Sequence, residues 1–197
     1  MDAYELLGLT RMAALDAGVV RDAFQRAAAA CHPDGGGTEG EKGERTARFQ
    51  ELNAAAAILT GVGSRVRHLL ALEAPGHVAE RAASMDEKLV ALFMEVGQAV
   101  RGAGEWAEAR RKAETFLAKA GLAGRELEVR EGLEGAGAAV KPAMEELESG
   151  LAAVDAMEPG AAGRVEWLAA LGQRAGFLEK WQAQLQGAWS LIFSVGG

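Results

Sequence analysis

Two apolar stripes with helical spacing lie on either side of a polar, glycine-rich segment. The first stripe is formed by Val20, Phe24, Ala27 and Cys31, and the second by Phe49, Leu52, Ala56 and Leu59. Residues at these intervals share one face of an α-helix, so the pattern predicts two amphipathic helices. His32-Pro33-Asp34 stands between them and is followed by three glycines. Because proline disfavours helical geometry in the residue before it, the first helix is predicted to end near His32.

These two helices are predicted to pack antiparallel, since a loop of this kind joins them. The tripeptide His32-Pro33-Asp34 would then be displayed at the tip of a helical hairpin. Short helices are predicted on both sides of the hairpin, over 2–9 and 64–72. Pro75-Gly76 marks the break that follows.

The apolar pattern resumes beyond this break. Ser84-Met85-Asp86-Glu87 has the form of a capping box, in which a hydroxyl caps a helix and a carboxylate follows three residues later. A helix is predicted to begin there and to end at Gly102 and Gly104. A second apolar stripe, from Trp106 to Leu117, predicts a helix that ends at Gly121.

The last third of the chain is helical in composition but carries two interruptions. Glycines and Pro142 predict a kink or break near Lys141, and Glu158-Pro159-Gly160 predicts a turn. A last long helix follows, with an apolar face formed by Val165, Leu168, Leu171, Ala175, Leu178, Leu185 and Ile192. The chain is therefore predicted to be all-α, with a first domain over 1–74, a linker over 75–84 and a helical bundle over 85–197.

Composition agrees with this fold class and narrows the setting. Alanine, leucine, glutamate and arginine are good helix formers, and alternating β-branched runs are missing from the sequence. A net charge of −7 argues against generic binding to nucleic acid or to an anionic membrane. The single cysteine excludes an intrachain disulfide, and neither a signal-like start nor an apolar run of roughly 20 residues is present. We therefore expect a cytoplasmic location.

Three other interpretations of the tripeptide are an ordinary turn, a metal site and a catalytic pair. It can be an ordinary turn, because proline and aspartate are common turn residues. A metal site is disfavoured, since the adjacent side chains of Cys31 and His32 rarely share an ion and His68 and His77 lack matching partners. A catalytic His-Asp pair requires a nucleophile and a pocket that the sequence does not indicate. We predict no catalytic residue, no metal ligand and no cofactor, and interpret the tripeptide as an exposed recognition element.

Three ordered motifs over about the first 73 residues resemble a J domain. They are 2–9 (DAYELLGL), then 20–30 leading into His32-Pro33-Asp34, then 48–53 (RFQELN). The resemblance implies a co-chaperone that docks on a DnaK/HscA-type ATPase chaperone of the heat shock protein 70 family and stimulates its ATPase. Such a domain supplies no catalytic group, and acts by binding preferentially to the hydrolysis-competent state of its partner.

The same resemblance implies which residues contact the chaperone. His32, Pro33 and Asp34 would form the trigger, with Asp34 in a charge-assisted contact with an arginine of the partner. The preceding helix would contact an acidic surface of the partner through Arg21, Gln25 and Arg26. Gln25 stands where a lysine or arginine is common in the family, and Gly35 where a basic residue is usual.

The second half resembles the HscB-like co-chaperones of iron-sulfur cluster assembly. The similar pieces are 65–72 (RVRHLLAL), 92–95 (LFME) and 177–180 (FLEK). In that family an apolar patch on the bundle grips the scaffold protein IscU. The resemblance places the patch at Phe93, Met94, Gly97 and Phe177, with Gly97 where a larger apolar residue is usual and Gln98 in place of an acid.

Other interpretations stay open at this stage. Phe93, Met94 and Phe177 lie on or beside apolar stripes, and burial in the bundle core is the simpler explanation for them. A J-domain protein with an unrelated client would share the first half of the chain. A structural helical adaptor would show no ATPase stimulation at all.

Overall fold

The computed structural model describes residues 1–31, 38–77 and 86–196. The described residues form helices and contain no strand, which confirms the all-α prediction. The helices are α1 (Ala3–Leu7), α2 (Ala17–Ala29), α3 (Glu39–Thr60), α4 (Val62–Glu73), α5 (Glu87–Lys112), α6 (Phe116–Ala120), α7 (Ala123–Asp155) and α8 (Ala162–Gly196).

The chain divides into two compact units. Unit 1 consists of Met1–Ala79 together with Leu147–Gly176, and unit 2 of Glu80–Glu146 together with Phe177–Gly197. Helices α7 and α8 contribute residues to both units, so a single cut in the sequence does not separate them. The domain boundaries proposed from the sequence, 1–74, 75–84 and 85–197, remain a prediction.

Side-chain caps define where the first three helices begin. The carboxylate of Asp2 accepts from the Tyr4 N–H before α1, and the carboxylate of Asp16 accepts from the Gly18 N–H before α2. Thr38 forms a capping box with Glu41 at the start of α3. Each cap satisfies backbone N–H groups that a helix leaves without an internal partner, and a cap of this kind stabilises a helix by about 1 kcal/mol.

The predicted antiparallel hairpin is formed by α2 and α3. These helices pack against each other, and the rings of Phe24 and Phe49 lie 6.0 Å apart between them. Helix α1 packs on both, and α4 packs on α3. Buried side chains from all four helices make the core, with Tyr4, Val20, Leu52, Leu59, Val66 and Leu69 among the most completely buried. The predicted trigger residues His32, Pro33 and Asp34 lie outside the described residues.

A buried ion pair joins the end of α4 to the beginning of α8 within unit 1. The guanidinium of Arg164 donates from Nε to Oε2 of Glu73 at 2.7 Å and from Nη2 to Oε1 at 2.8 Å. Its Nη1 donates to the carbonyls of Val154 and Met157 at the end of α7. The Arg164 and Glu73 side chains are only 3% and 8% exposed. Burial alone would raise the pKa of Glu73, but the hydrogen bonds from Arg164 outweigh it and hold that pKa below its ordinary value.

Asp155, the last residue of α7, continues this polar network. Its two carboxylate oxygens accept from the backbone N–H groups of Ala13 and Ala14, each at 2.7 Å. The carbonyl of Ala13 in turn accepts from Nε of the buried Arg65 side chain at 2.9 Å. The connection between α1 and α2 is therefore held by side chains from α4 and from the distant end of α7.

Two predictions about helix α5 were wrong. The N-cap of α5 is Asp86, whose carboxylate accepts from the Leu89 N–H at 2.7 Å, so the helix begins two residues after the predicted Ser84 cap. Helix α5 does not end at Gly102 and Gly104 but continues to Lys112. A glycine inside a helix costs only about 1 kcal/mol. The burial of Ala103, Trp106 and Ala107 favours continuation by more than this.

The stretch predicted to end at Gly121 is split. Helix α5 stops at Lys112, Thr115 caps the short helix α6, and Gly121 follows α6 as predicted. Phe116 and Leu117, which were placed on an apolar stripe, are 87% and 81% exposed. The apolar stripe therefore does not describe the packing of this segment.

Of the predicted kink or break near Lys141, the break is wrong, because α7 passes through Pro142 without interruption. The kink stays a prediction. Proline removes one backbone hydrogen bond there. The buried residues Val140, Ala143 and Leu147 on either side keep that part of the helix packed. The predicted turn at 158–160 is confirmed, since Gly160 has a φ of 77° between α7 and α8.

We predict that replacing Glu73 with alanine destabilises the protein by about 3 kcal/mol, because it leaves the buried Arg164 charge without its main partner. Urea denaturation followed by far-ultraviolet circular dichroism measures this loss. The matched control is Glu108→Ala, which breaks a pair with Lys112 whose side chains are 64% and 74% exposed. The control should leave the unfolding midpoint nearly unchanged. Equal effects of the two changes would contradict the prediction.

We also predict that stability falls as the pH drops below neutrality because of His68. Its Nε2 accepts from the Ala3 N–H at 3.0 Å, and its ring stacks on Tyr4. Burial lowers the pKa of His68 from its ordinary value of 6.5, although nearby Asp2 acts in the opposite direction. Because the pKa of His68 is lower in the folded chain, the unfolded chain takes up a proton more readily. The contribution of neutral His68 to the free energy of unfolding is therefore complete above pH 6.5 and is lost as the pH falls through the lower folded pKa.

Unfolding free energies measured between about pH 7.5 and about pH 5.5 test this. His68→Gln should flatten the pH dependence, whereas His77→Gln, at an exposed position, should keep it. An unchanged slope in His68→Gln would refute the assignment.

Candidate functional site

The outer face of α2 presents the predicted chaperone-contacting residues to solvent. Arg21, Gln25 and Arg26 are all exposed, while Val20, Ala23 and Ala28 of the same helix are buried. None of the ion pairs between described residues involves Arg21 or Arg26. The two guanidinium groups are therefore available for an acidic surface, and Gln25 adds an uncharged hydrogen-bonding group between them.

The ends of the two hairpin helices are well anchored. Cys31, just after α2, is 8% exposed and packs in the core of unit 1. Thr38, just before α3, holds the capping box. Gly35 and the tripeptide lie between these two points and outside the described residues. The structure thus fixes the helices that carry the tripeptide but leaves its predicted role as a trigger untested.

Unit 2 carries an exposed apolar surface at the predicted client-contacting residues. Phe93 and Met94 of α5 are 53% and 58% exposed, and Phe177 of α8 is 37% exposed. Both phenylalanine rings contact the ring of Trp181, with centroid distances of 6.4 Å for Phe93 and 6.1 Å for Phe177. Trp181 itself is 2% exposed. We call Phe93, Met94, Phe177 and Trp181 the aromatic patch.

Trp181 holds the aromatic patch together, although sequence reasoning did not select it. It lies four residues after Phe177, on the apolar face that also carries Leu178 and Leu185. That spacing agrees with its burial, although Trp181 was not among the residues assigned to the face. The sequence pattern could not indicate its contact with Phe93, because the two residues are distant in sequence and meet only in the folded chain. The simpler expectation, that Phe93 and Met94 are core residues, is wrong.

Gly97 extends the aromatic patch along α5. It lies four residues after Phe93, so both residues occupy the same side of the helix. A Cβ atom placed at Gly97 would stand 3.5 Å from Nη1 of Arg101. The guanidinium of Arg101 therefore lies beside the space that a larger side chain at this position would fill.

Two kinds of site are missing from the part of the chain that the structure describes. No group of three histidine, cysteine, aspartate or glutamate residues there is placed to hold a metal ion. None of the described helices combines the length and the apolar character needed to cross a membrane. The two surfaces selected from the sequence, the exposed face of α2 and the aromatic patch, are both suited to contacts with other proteins.

Comparison with known proteins agrees with both halves of this architecture. Residues 2–67 match the family model of the DnaJ domain. No curated protein sequence matches the chain significantly. Among solved structures, the fold is similar to that of the chaperone HscB from Vibrio cholerae, at 17% sequence identity and a TM-score of 0.56. The match covers 98% of this chain and 99% of that chain.

Residues 2–67 are therefore assigned to the DnaJ domain family. Its fold over nearly the whole length is that of an HscB-type protein. Together these findings support a role as a co-chaperone of an Hsp70-type chaperone. Proteins of this class are generally not enzymes themselves.

Proposed function

We propose that the protein docks on a DnaK-type chaperone through His32-Pro33-Asp34 and the exposed face of α2, stimulates ATP hydrolysis, and delivers a client bound to unit 2. The client proposed is an IscU-like scaffold for iron-sulfur clusters. The match of residues 2–67 to the DnaJ domain carries the first part, because the tripeptide lies inside it. The exposure of the aromatic patch supports the second.

The chemistry of the docking face suits an acidic partner. Arg21 and Arg26 are exposed cations on a helix whose other side is buried in the core. Long-range attraction from such groups raises the rate of encounter, and close contacts then give specificity. Asp34 would accept a charge-assisted hydrogen bond, which is stronger than a bond between neutral groups. The core of unit 1 would hold these groups in place during docking.

The aromatic patch has the character of a protein-binding site. Aromatic and methionine side chains are enriched in interface cores, and Met94 can adapt its shape to a partner. Phe93 and Phe177 rest on the buried ring of Trp181, so they present a preorganised surface. Preorganisation reduces the entropy lost on binding. An apolar segment of a client is therefore a suitable occupant.

Stimulation of the partner would arise from a difference in binding free energy. The protein accelerates hydrolysis if it binds the hydrolysis-competent state of the chaperone more tightly than the resting state. No catalytic group of this chain is required. A client bound to unit 2 would be held at a high local concentration near the client-binding site of the chaperone. Delivery of the client and stimulation of the ATPase would be coupled in this way.

We expect Asp34→Asn to reduce stimulation of the chaperone's ATPase by about tenfold or more, because it removes the charge from the proposed contact. Single-turnover ATP hydrolysis by the organism's DnaK-type chaperones measures the effect. Glu44→Gln removes one carboxylate from an exposed position on α3 and serves as the matched control, with stimulation expected to stay normal. Circular dichroism should show equal helicity in all variants. Full stimulation by Asp34→Asn would reject the trigger role.

A second set of variants tests the client surface. Changing Phe93, Met94 and Phe177 together to serine should weaken binding of the organism's IscU-like scaffold by about 100-fold, because central apolar side chains dominate binding energy. Isothermal titration calorimetry measures the affinity. Stimulation of the ATPase in the absence of scaffold should be unchanged.

The control removes exposed apolar side chains elsewhere in unit 2. Phe116 and Leu117 are 87% and 81% exposed, so their change to serine should leave both folding and scaffold affinity intact. Normal affinity in the triple variant, with its helicity preserved, would exclude the aromatic patch as the scaffold site.

A further inference from the structure

The aromatic patch is bordered by two cations. Arg101 lies two turns after Phe93 on α5, and its Nη1 approaches Gly97 to within 3.5 Å of the position a Cβ would take. Side chains on a helix lean toward its N-terminus, so the Arg101 side chain extends back along α5 toward Phe93.

Lys180 is exposed on α8, three residues after Phe177 and directly before Trp181. None of the ion pairs between described residues involves Arg101 or Lys180.

Gly97 has a clear role in this arrangement. A glycine inside a helix costs about 1 kcal/mol relative to alanine. Apart from the backbone of α5 and the adjacent residues, Nη1 of Arg101 is the one atom of the described residues within 4 Å of a Cβ at Gly97. A large apolar side chain at this position would occupy the space beside the guanidinium. Gly97 therefore leaves open space beside α5, and the Arg101 guanidinium lies at ordinary contact distance from the position of a Cβ there.

The nearest acidic side chain on α5 faces away from this border. Glu95 lies two residues after Phe93, which places it on another side of the helix. It lines a groove with Val129 and Gly132 of α7. Gln98 is neutral, and Glu179 of α8 is two residues from both Phe177 and Trp181, which places it on another side of that helix. The border of the patch is therefore positive although the whole chain has a net charge of −7.

We propose that the segment bound by the aromatic patch carries carboxylate side chains beside its apolar residues, and that Arg101 and Lys180 pair with them. The inference rests on the proposed client role of unit 2 and defines the chemistry of the client. Exposed ion pairs add little to affinity individually but discriminate between partners of opposite charge. A basic segment with the same apolar residues is rejected by the same two cations.

Three synthetic peptides test this proposal. They share two leucines and one phenylalanine and differ only in flanking residues, which are glutamates, glutamines or lysines. Titration into the ¹⁵N-labelled full chain at low salt gives dissociation constants and locates binding through shifts at Phe93 and Met94. The glutamate peptide should bind about fivefold more tightly than the lysine peptide. The net charge of the chain alone predicts the opposite order, so the sign of the preference is decisive.

Two double variants identify the source of the preference for the glutamate peptide. The double variant Arg101→Gln, Lys180→Gln should abolish this preference. Arg111→Gln with Lys119→Gln removes the same charge from exposed positions of unit 2 and should preserve it. Arg111 is a suitable control because 18 helical residues place it about 27 Å along α5 from Phe93.

The outcomes separate this inference from the proposed function. Equal binding of the three peptides, tighter binding of the lysine peptide, or no binding by any of them would overturn it. Scaffold affinity is measured on the same variants. If the scaffold binds through the patch while the peptides show no acidic preference, only this inference fails. If the acidic preference holds and the scaffold does not bind, the client class stands and the scaffold assignment fails.

Discussion

The buried pair of Glu73 and Arg164 is the contact on which the organisation of unit 1 depends. A charge that is almost completely removed from water must be paired, and Arg164 finds its partners on α4 and at the end of α7. Asp155 extends the network to the backbone of Ala13 and Ala14. Residues outside the DnaJ domain match thereby become part of the same compact unit as the domain itself. The domain is held by packing and by polar contacts with Leu147–Gly176.

Under the proposed function the two units have different tasks. Unit 1 contains the exposed basic face of α2 and the anchored ends of the hairpin helices, which suit it for contact with a chaperone. Unit 2 carries apolar rings supported by the buried Trp181, which suit it for contact with a client. Under the proposed function both are binding surfaces, and the protein would act by bringing a client and an ATPase together.

The sequence was a good guide to most local structural signals. The turn at Gly160 and the hairpin helices were predicted correctly because they depend on neighbouring residues. The end of α5 at Gly102 and Gly104 was predicted wrongly, and α7 is not broken near Lys141, since burial of apolar residues outweighs the local cost of glycine and proline. The pairing of Arg164 with Glu73, 91 residues apart, could not be found from spacing. The contact of Phe93 with Trp181 has the same origin in tertiary packing.

Coupling between client and chaperone is the most direct test of the whole account. The measurement is the single-turnover rate of ATP hydrolysis by the organism's DnaK-type chaperone, with this protein alone, with the IscU-like scaffold alone, and with both. A rate with both that exceeds the sum of the separate stimulations is the predicted result. A rate that is merely additive, or that shows no stimulation by this protein, would contradict the account.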